Sequence, residues 1–213
     1  MKNLIIIGAR GFGREVFITA LESKGYKEEF IIGGFLDNHP DDEVSANFYP
    51  PVLGSVENYI PEENDLFICA LGNVKDKIKY TKMILEKGGQ FAKLIHNSAT
   101  KYTTSQIGKG CIIMKDVHLS VDVKVEDFST IMVYSVIGHD VKVGAWSHIG
   151  PYVFIGGGAV IGQNAQLHVR STILSGIKVG EGAVVGAGSV VIKDVKHGIT
   201  VFGNPAKDIG KFN

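Results

Sequence analysis

Ile137-Gly-His-Asp-Val-Lys-Val143-Gly-Ala-Trp-Ser-His-Ile149-Gly-Pro-Tyr-Val-Phe-Ile155 puts an aliphatic residue at every sixth position. Working outward in both directions, the same spacing runs without a slip from Ile107 to Val191, fifteen positions in a row. Two residues before each aliphatic lies a second, mostly small register that runs from Ser105 to Ser189. Residues two apart on a strand share a face, so every hexad offers one large and one small inward side chain. Glycine often follows the aliphatic (Gly138, Gly144, Gly150, Gly156, Gly162), which suits a corner that needs unusual backbone angles. A strand and a corner every six residues fit neither a helix nor a hairpin sheet. They predict a parallel β-solenoid with three short faces per eighteen-residue coil. Fifteen hexads make 15/3 = 5 coils, a prism about 24 Å tall at the inter-strand spacing.

The 213 residues leave room for a second unit ahead of the solenoid. Leu4 to Ile7 reads as a strand, Gly8-Ala-Arg-Gly11-Phe-Gly13 as a glycine-rich turn opening a helix to about Ser23, and Phe30 to Leu36 as a second strand ending at Asp37 and Asn38. A third strand, Asp65 to Leu71, ends at Gly72-Asn73; a charged helix follows over Val74 to Lys87, then a fourth strand over Phe91 to Ile95. This alternation predicts half a doubly wound fold, an α/β Rossmann-like domain over residues 1–96, with the all-β solenoid and its tail over 97–213. The polar stretch Asn97 to Thr104 marks the boundary, and Gly198 to Ile209 leaves the six-residue register.

Ligands of such sheets bind beyond the carboxyl ends of the strands. A strand, glycine turn and helix can point backbone N–H groups at a phosphate, so Gly11, Phe12 and Gly13 are placed near phosphate or sugar and Asp37 near a hydroxyl or base. The alternative is that these glycines only let the first helix pack on the sheet. The spacing G-x-x-G-x-G departs from the dinucleotide fingerprint and argues against a nicotinamide cofactor.

Charge limits the partners. With 22 basic and 22 acidic residues and no long run of one sign, nothing marks an electrostatic footprint for nucleic acid or an anionic membrane. Cys69 and Cys111 read as small core residues. No signal peptide or apolar stretch of membrane-spanning length is legible, so a reducing cytoplasm is the expected compartment.

A solenoid interior is filled by its own side chains, so chemistry has to sit on corners and outer faces. That sorts the histidines. His139 is at a corner, followed by Asp140; His148 and His118 face outward just before an aliphatic; His168 replaces a corner glycine; His197 is in the tail; His39 and His96 belong to the first domain. His139 with Asp140 is the candidate catalytic pair: an imidazole can take a proton from an attacking amine or hydroxyl, and a neighbouring carboxylate fixes its tautomer. Eighteen residues beyond His139 lies Gly157, a gap that could admit substrate. Outward Trp146, Tyr152 and Phe154 are read as one contact surface.

Taken with Ile7-Gly-Ala-Arg-Gly-Phe-Gly13, Phe35-Leu-Asp-Asn38, Ala70-Leu-Gly-Asn73, Leu94-Ile-His-Asn-Ser98, Ser135-Val-Ile-Gly-His-Asp140, Ser147-His148 and Gly203-Asn-Pro-Ala-Lys207, the whole chain resembles the PglD-like bacterial nucleotide-sugar acetyltransferases. These include perosamine N-acetyltransferases, with the sialic acid O-acetyltransferase NeuD as a relative. The resemblance implies a left-handed β-helix, a homotrimer with acyl donor between subunits, acetyl-CoA as co-substrate and no metal. It implies His139 as general base with Asp140 raising its basicity, His148 in contact with acetyl-CoA, and further CoA contacts by register at Val169 and Ala187. It places the nucleotide sugar against Arg10, Gly11, Phe12, Asp37, Asn38 and Gly72; Phe12 stands where some relatives have histidine.

The leading expectation is acetyl transfer to the amine of a nucleotide-linked amino sugar in bacterial surface glycan synthesis. The alternatives are O-acetylation of a sialic acid or other sugar, a zinc hydratase of the γ-carbonic anhydrase type using His139, His148 and His168, and a non-catalytic nucleotide-sugar binding protein.

Overall fold

The apolar run at the N-terminus forms β1 (Lys2–Ile7), completely buried from Leu4 onward, and the chain then turns at Gly8 into α1 (Gly11–Leu21). The computed structural model describes residues 1–38 and 48–210, which divide into two compact units, Met1–Asn97 and Ser98–Asn213.

In the first unit, β2 (Phe30–Leu36), β3 (Val52–Gly54) and β4 (Asp65–Cys69) join β1 in a parallel sheet of order β3-β2-β1-β4. The helix α2 (Val74–Glu86) is capped by Asn73, whose Oδ1 accepts from the amides of Lys75 (2.9 Å) and Asp76 (3.2 Å). The sheet thus has four strands, but not the four read from the sequence. Its outer strand is Val52–Gly54, a short edge piece behind Pro50 and Pro51, whereas Phe91 makes only an isolated bridge to Phe67 and the following strand, β5, covers just Leu94–Ile95. A three-residue edge strand lacks the apolar run that marks its buried neighbours.

The second unit is a parallel solenoid in which strands pair at eighteen-residue intervals. One face stacks Gln106–Ile107, Lys124–Val125, Lys142–Val143, Val160–Ile161 and Lys178–Val179 as a five-stranded sheet. The second face carries Thr130–Ile131, His148–Ile149, Gln166–Leu167 and Val184–Val185, and the third Val136–Ile137, Phe154–Ile155 and Thr172–Ile173. The aliphatic register is buried from Ile113 to Val191, with Ile107 half-buried at the first coil. In the small register Ser129, Ser135 and Ser147 donate to the carbonyls of Gly144, Gly150 and Gly162, each fifteen residues on, at 2.8–2.9 Å, while the buried Ser171 hydroxyl makes no such bond. Those three hydroxyls therefore tie successive coils together with their own desolvation compensated.

The corners differ from expectation. The glycines that follow the aliphatic are not in left-handed backbone; that conformation falls two residues later, at every sixth residue from Gly110 to Gly188, and is held by Asp116, Asp122, Phe128, Tyr134, Asp140, Trp146, Tyr152, Asn164 and Arg170 as well as glycine. The earlier glycines answer to crowding instead. A Cβ on Gly138, Gly144 or Gly162 would lie within 3 Å of the backbone of the next coil.

The prism also begins before Ile107, since Thr100–Lys101 already stacks on His118–Leu119 with Ala99 buried. At the other end two residues are lost after Val191. Val195 pairs with Val179 and Thr200 with Val184, sixteen residues apart, so Val195 and Val201 resume the buried register. Thr200–Phe202 then folds back antiparallel on Lys207–Gly210.

Candidate functional site

In the first unit a pocket opens beyond the carboxyl ends of β1, β2 and β4, lined by Gly8, Arg10, Asp37, Asn38, Val56, Leu71 and Tyr80 among others. Arg10, Asp37 and Asn38 are the sequence candidates that reach it; Gly11, Phe12 and Gly72 are not on its wall. Each glycine has a different reason. Gly13 packs so tightly on the Gly8 carbonyl that a Cβ would overlap it, so here the packing explanation holds, whereas Gly11 and Gly72 face open space. The first helical bond of α1 is Arg14 N–H to Arg10 C=O (2.9 Å), which puts the amides of Gly11 to Gly13 in the turn whose donors lack helical partners.

Asp37 and Asn38 are partly committed to building the pocket. Asp37 Oδ2 accepts the Ala9 amide (2.8 Å), tying the end of β2 to the glycine turn. Asn38 donates to Glu57 Oε2 (2.5 Å) and the Tyr80 hydroxyl (3.2 Å) and accepts from the Val56 amide (3.1 Å). Behind that loop, the Lys87 ammonium donates to the carbonyls of Val56 (3.1 Å), Glu57 (2.5 Å) and Tyr59 (2.9 Å). Tyr80, Val56 and Leu71 were missed in the sequence because a lone tyrosine on a charged helix and two loop aliphatics carry no spacing signal.

In the solenoid, His139 and Asp140 stand at the corner after Val136–Ile137. His139 Nδ1 lies 2.8 Å from Asp140 Oδ2, with both side chains more than 60 % exposed. Asp140 is in left-handed backbone (φ 60°), which an aspartate tolerates. The carboxylate holds the proton on Nδ1 and leaves Nε2 as the acceptor. The gap at Gly157 does not stand open for substrate as expected: the imidazole itself lies over it, and a Cβ at 157 would collide with Nε2, Cε1 and Cδ2.

His148 lies on the second face, between Thr130 and Gln166. Val169 and Ala187 are exposed and lie one above the other at the corner between the second and third faces, with the Gly188 amide on the Val169 carbonyl (2.9 Å). His168, beside Val169, is exposed and borders an apolar recess with Val184, Phe202 and Ile209. His139 occupies the corner between the third and first faces. A single chain therefore groups His148, His168, Val169 and Ala187 but keeps them away from His139.

The aromatics do not form one surface either. Trp146 is half-buried and stacked on Phe128 (5.3 Å, 12°) at the corner between the first and second faces. Tyr152 stacks on Tyr134 (5.0 Å, 20°) under Arg170 (5.7 Å) at the next corner, and Phe154 lies on the third face. The eighteen-residue period, which brings left-handed corner residues of adjacent coils together, decides these partners. Of the other histidines, His118 Nδ1 meets Thr100 Oγ1 (2.8 Å) and buried His96 meets Glu22 (2.7 Å); His39 lies outside the described residues. Among the described residues no group of three His, Cys, Asp or Glu side chains could hold a metal ion, and no helix is long and apolar enough to cross a membrane.

Comparison with known proteins agrees with this architecture. Residues 3–84 match the PglD N-terminal domain, and residues 122–157 and 158–193 match the bacterial transferase hexapeptide (six repeats). The acetyltransferase domain of PglB from Neisseria gonorrhoeae FA1090 superposes with a TM-score of 0.89 at 29% identity over 98% of this chain and 100% of that one; it has also been solved with acetyl coenzyme A. A mutant of perosamine N-acetyltransferase from Caulobacter crescentus, bound to CoA and GDP-perosamine, gives 0.88 at 25% identity over 99% and 98% of the two chains. WeeI from Acinetobacter baumannii AYE gives 0.71 at 26% identity over 98% and 100%. No curated protein matches in sequence. Fold and site define an acetyl-CoA-dependent acyltransferase of the hexapeptide class. Within that class, the chain is similar to the PglD-like acetyltransferases, joining a region that matches the PglD N-terminal domain to one that matches the hexapeptide repeats.

Proposed function

We propose that the protein transfers the acetyl group of acetyl-CoA to the amine of a nucleotide-linked amino sugar, with His139 as general base. The observation that carries this reading is the exposed His139–Asp140 pair, 2.8 Å apart, with Nε2 left to accept a proton. The amine nitrogen attacks the thioester carbonyl and forms the C–N bond while Nε2 takes its proton; the tetrahedral adduct then expels the CoA sulfur, which recovers that proton from the imidazolium. No covalent enzyme intermediate is needed.

In this reading residues 1–96 hold the nucleotide sugar through Arg10, Asp37 and Asn38 of the pocket wall, with Gly11, Phe12 and Gly72 reached by the part of the ligand that extends beyond it, and residues 97–213 carry the acyltransferase chemistry, with His148, Val169 and Ala187 against CoA. Because those three lie on other faces of the prism than His139, the active site is completed by a second copy, with His139 of one protomer facing the CoA groove of its neighbour. We take the assembly to be a homotrimer, with the exposed Tyr152 and Phe154 available for contact between prisms, and the cytoplasm to be its setting.

The test is CoA release from acetyl-CoA with UDP-, GDP- and dTDP-linked amino sugars as acceptors, beside CMP-sialic acid and free sialic acid. Release with an amino sugar nucleotide supports the proposal. Release only with sialic acids makes the enzyme an O-acetyltransferase, and nucleotide-sugar binding without any release makes it a binding protein.

A further inference from the structure

The contact between His139 and the next coil has a consequence for catalysis, and it rests on the reading of His139 as the base. We infer that Gly157 is a positioning residue for His139: by having no side chain it seats the imidazole, so the reaction requires glycine there. A Cβ built on Gly157 would come within 2.6 Å of His139 Cε1 and 2.8 Å of Cδ2, and still closer to Nε2. Three atoms of a rigid ring are met at once, and the ring is already held on its other side by Asp140 (2.8 Å). Backbone movement cannot relieve the overlap, because the Gly158 amide donates to the His139 carbonyl (2.8 Å) and the Gly176 amide to the Gly157 carbonyl (2.9 Å), fixing the spacing of three coils.

Gly157 is not glycine for its own backbone. The left-handed residue of this corner is Gly158 (φ 69°), and Gly157 has ordinary angles. Nor does the repeat call for glycine: at the equivalent position of every other hexad from Lys109 to Ala187 the chain carries a side chain. The one exception is the position on which the catalytic ring lies. The place a Cβ would take lies over the face of the ring beside Nε2, whereas the Nε2 lone pair lies in the ring plane, so glycine at 157 fixes the plane in which Nε2 meets the attacking amine.

The experiment is Gly157→Ala, assayed beside His139→Ala and the double variant. Loss of turnover on the order of a hundredfold in Gly157→Ala, with CoA and nucleotide-sugar dissociation constants within about twofold and loss of the neutral-pH limb of the kcat profile, supports the inference. So does non-additivity, with the double variant no slower than His139→Ala and melting at the same temperature, because no ring is left to meet the methyl. Wild-type turnover with an unchanged pH profile in Gly157→Ala, while His139→Ala is inactive, overturns the seat and leaves the base standing. An active His139→Ala overturns both. Should Gly157→Ala fail to fold, removing the ring in the double variant must restore folding; a double variant that stays unfolded contradicts the inference.

Discussion

At the residue scale, the account turns on one imidazole and the groups that orient it. His139→Ala is expected to lose about a hundredfold or more in turnover with the solenoid intact, read from kcat and from circular dichroism. Asp140 requires more care, because its backbone is left-handed (φ 60°). Alanine there adds roughly 1–2 kcal/mol of backbone strain, whereas asparagine keeps the conformation and removes only the charge. Asp140→Asn should therefore cost about 10- to 100-fold in kcat with little change in melting temperature. The pair was legible because the hexad count sets residues 139 and 140 on a corner. Gly157 was legible as a neighbour of His139 but not as its seat, since register places Cα atoms and says nothing of which way a ring leans. Asn38 was legible as a strand end beside the pocket, but not its bonds to Val56, Glu57 and Tyr80, which depend on loops that register does not place.

At the scale of the strand and corner, two kinds of glycine do different work. Gly162 has ordinary backbone but would drive a Cβ into Glu181 of the next coil, while Gly182 is left-handed (φ 63°) with open space around it. Gly162→Ala should cost about 1–3 kcal/mol through overpacking and Gly182→Ala about 1–2 kcal/mol through backbone strain alone. Adding a further methyl separates them: Gly162→Val should fall further in urea midpoint than Gly162→Ala by more than Gly182→Val falls below Gly182→Ala. The aliphatic periodicity announced the strands from Ile107 to Val191, because burial imposes it. The left-handed corner was hidden, since Asp, Phe, Tyr, Trp, Asn and Arg share it with glycine and no single composition marks it. The last coil was hidden by its loss of two residues, which shifts Val195 and Val201 out of the count while keeping them buried. The edge strand Val52–Gly54 gave no apolar signal at all.

At the scale of the molecule, stability and assembly each yield a check. Burial pushes the Cys69 thiol up to about 12, and burial with the Asp65 hydrogen bond raises the Tyr59 phenol as well. Both groups ionise more readily in the unfolded chain, so above about pH 9 the unfolded state binds fewer protons and stability falls as pH rises. Urea midpoints should drop between pH 8 and 10.5, by less in Cys69→Ala. Assembly follows from the faces. With His139 and His148 on different sides of one prism, inactive His139→Ala and His148→Ala proteins, unfolded and refolded together, should regain activity in mixed oligomers, whereas sites held within one chain would stay inactive. The two-unit organisation was readable from the repeat and the glycine turn, because each is local in sequence, whereas the class of chemistry came from the resemblance.

The most direct measurement is a crystal structure with CoA and a nucleotide-linked amino sugar bound. The sugar amine is expected at hydrogen-bond distance, about 2.6–3.2 Å, from His139 Nε2, with the ring still seated on Gly157 and the CoA sulfur supplied from the second face of a neighbouring protomer. An amine bound away from Nε2, or an imidazole turned off Gly157 with both ligands in place, would contradict it.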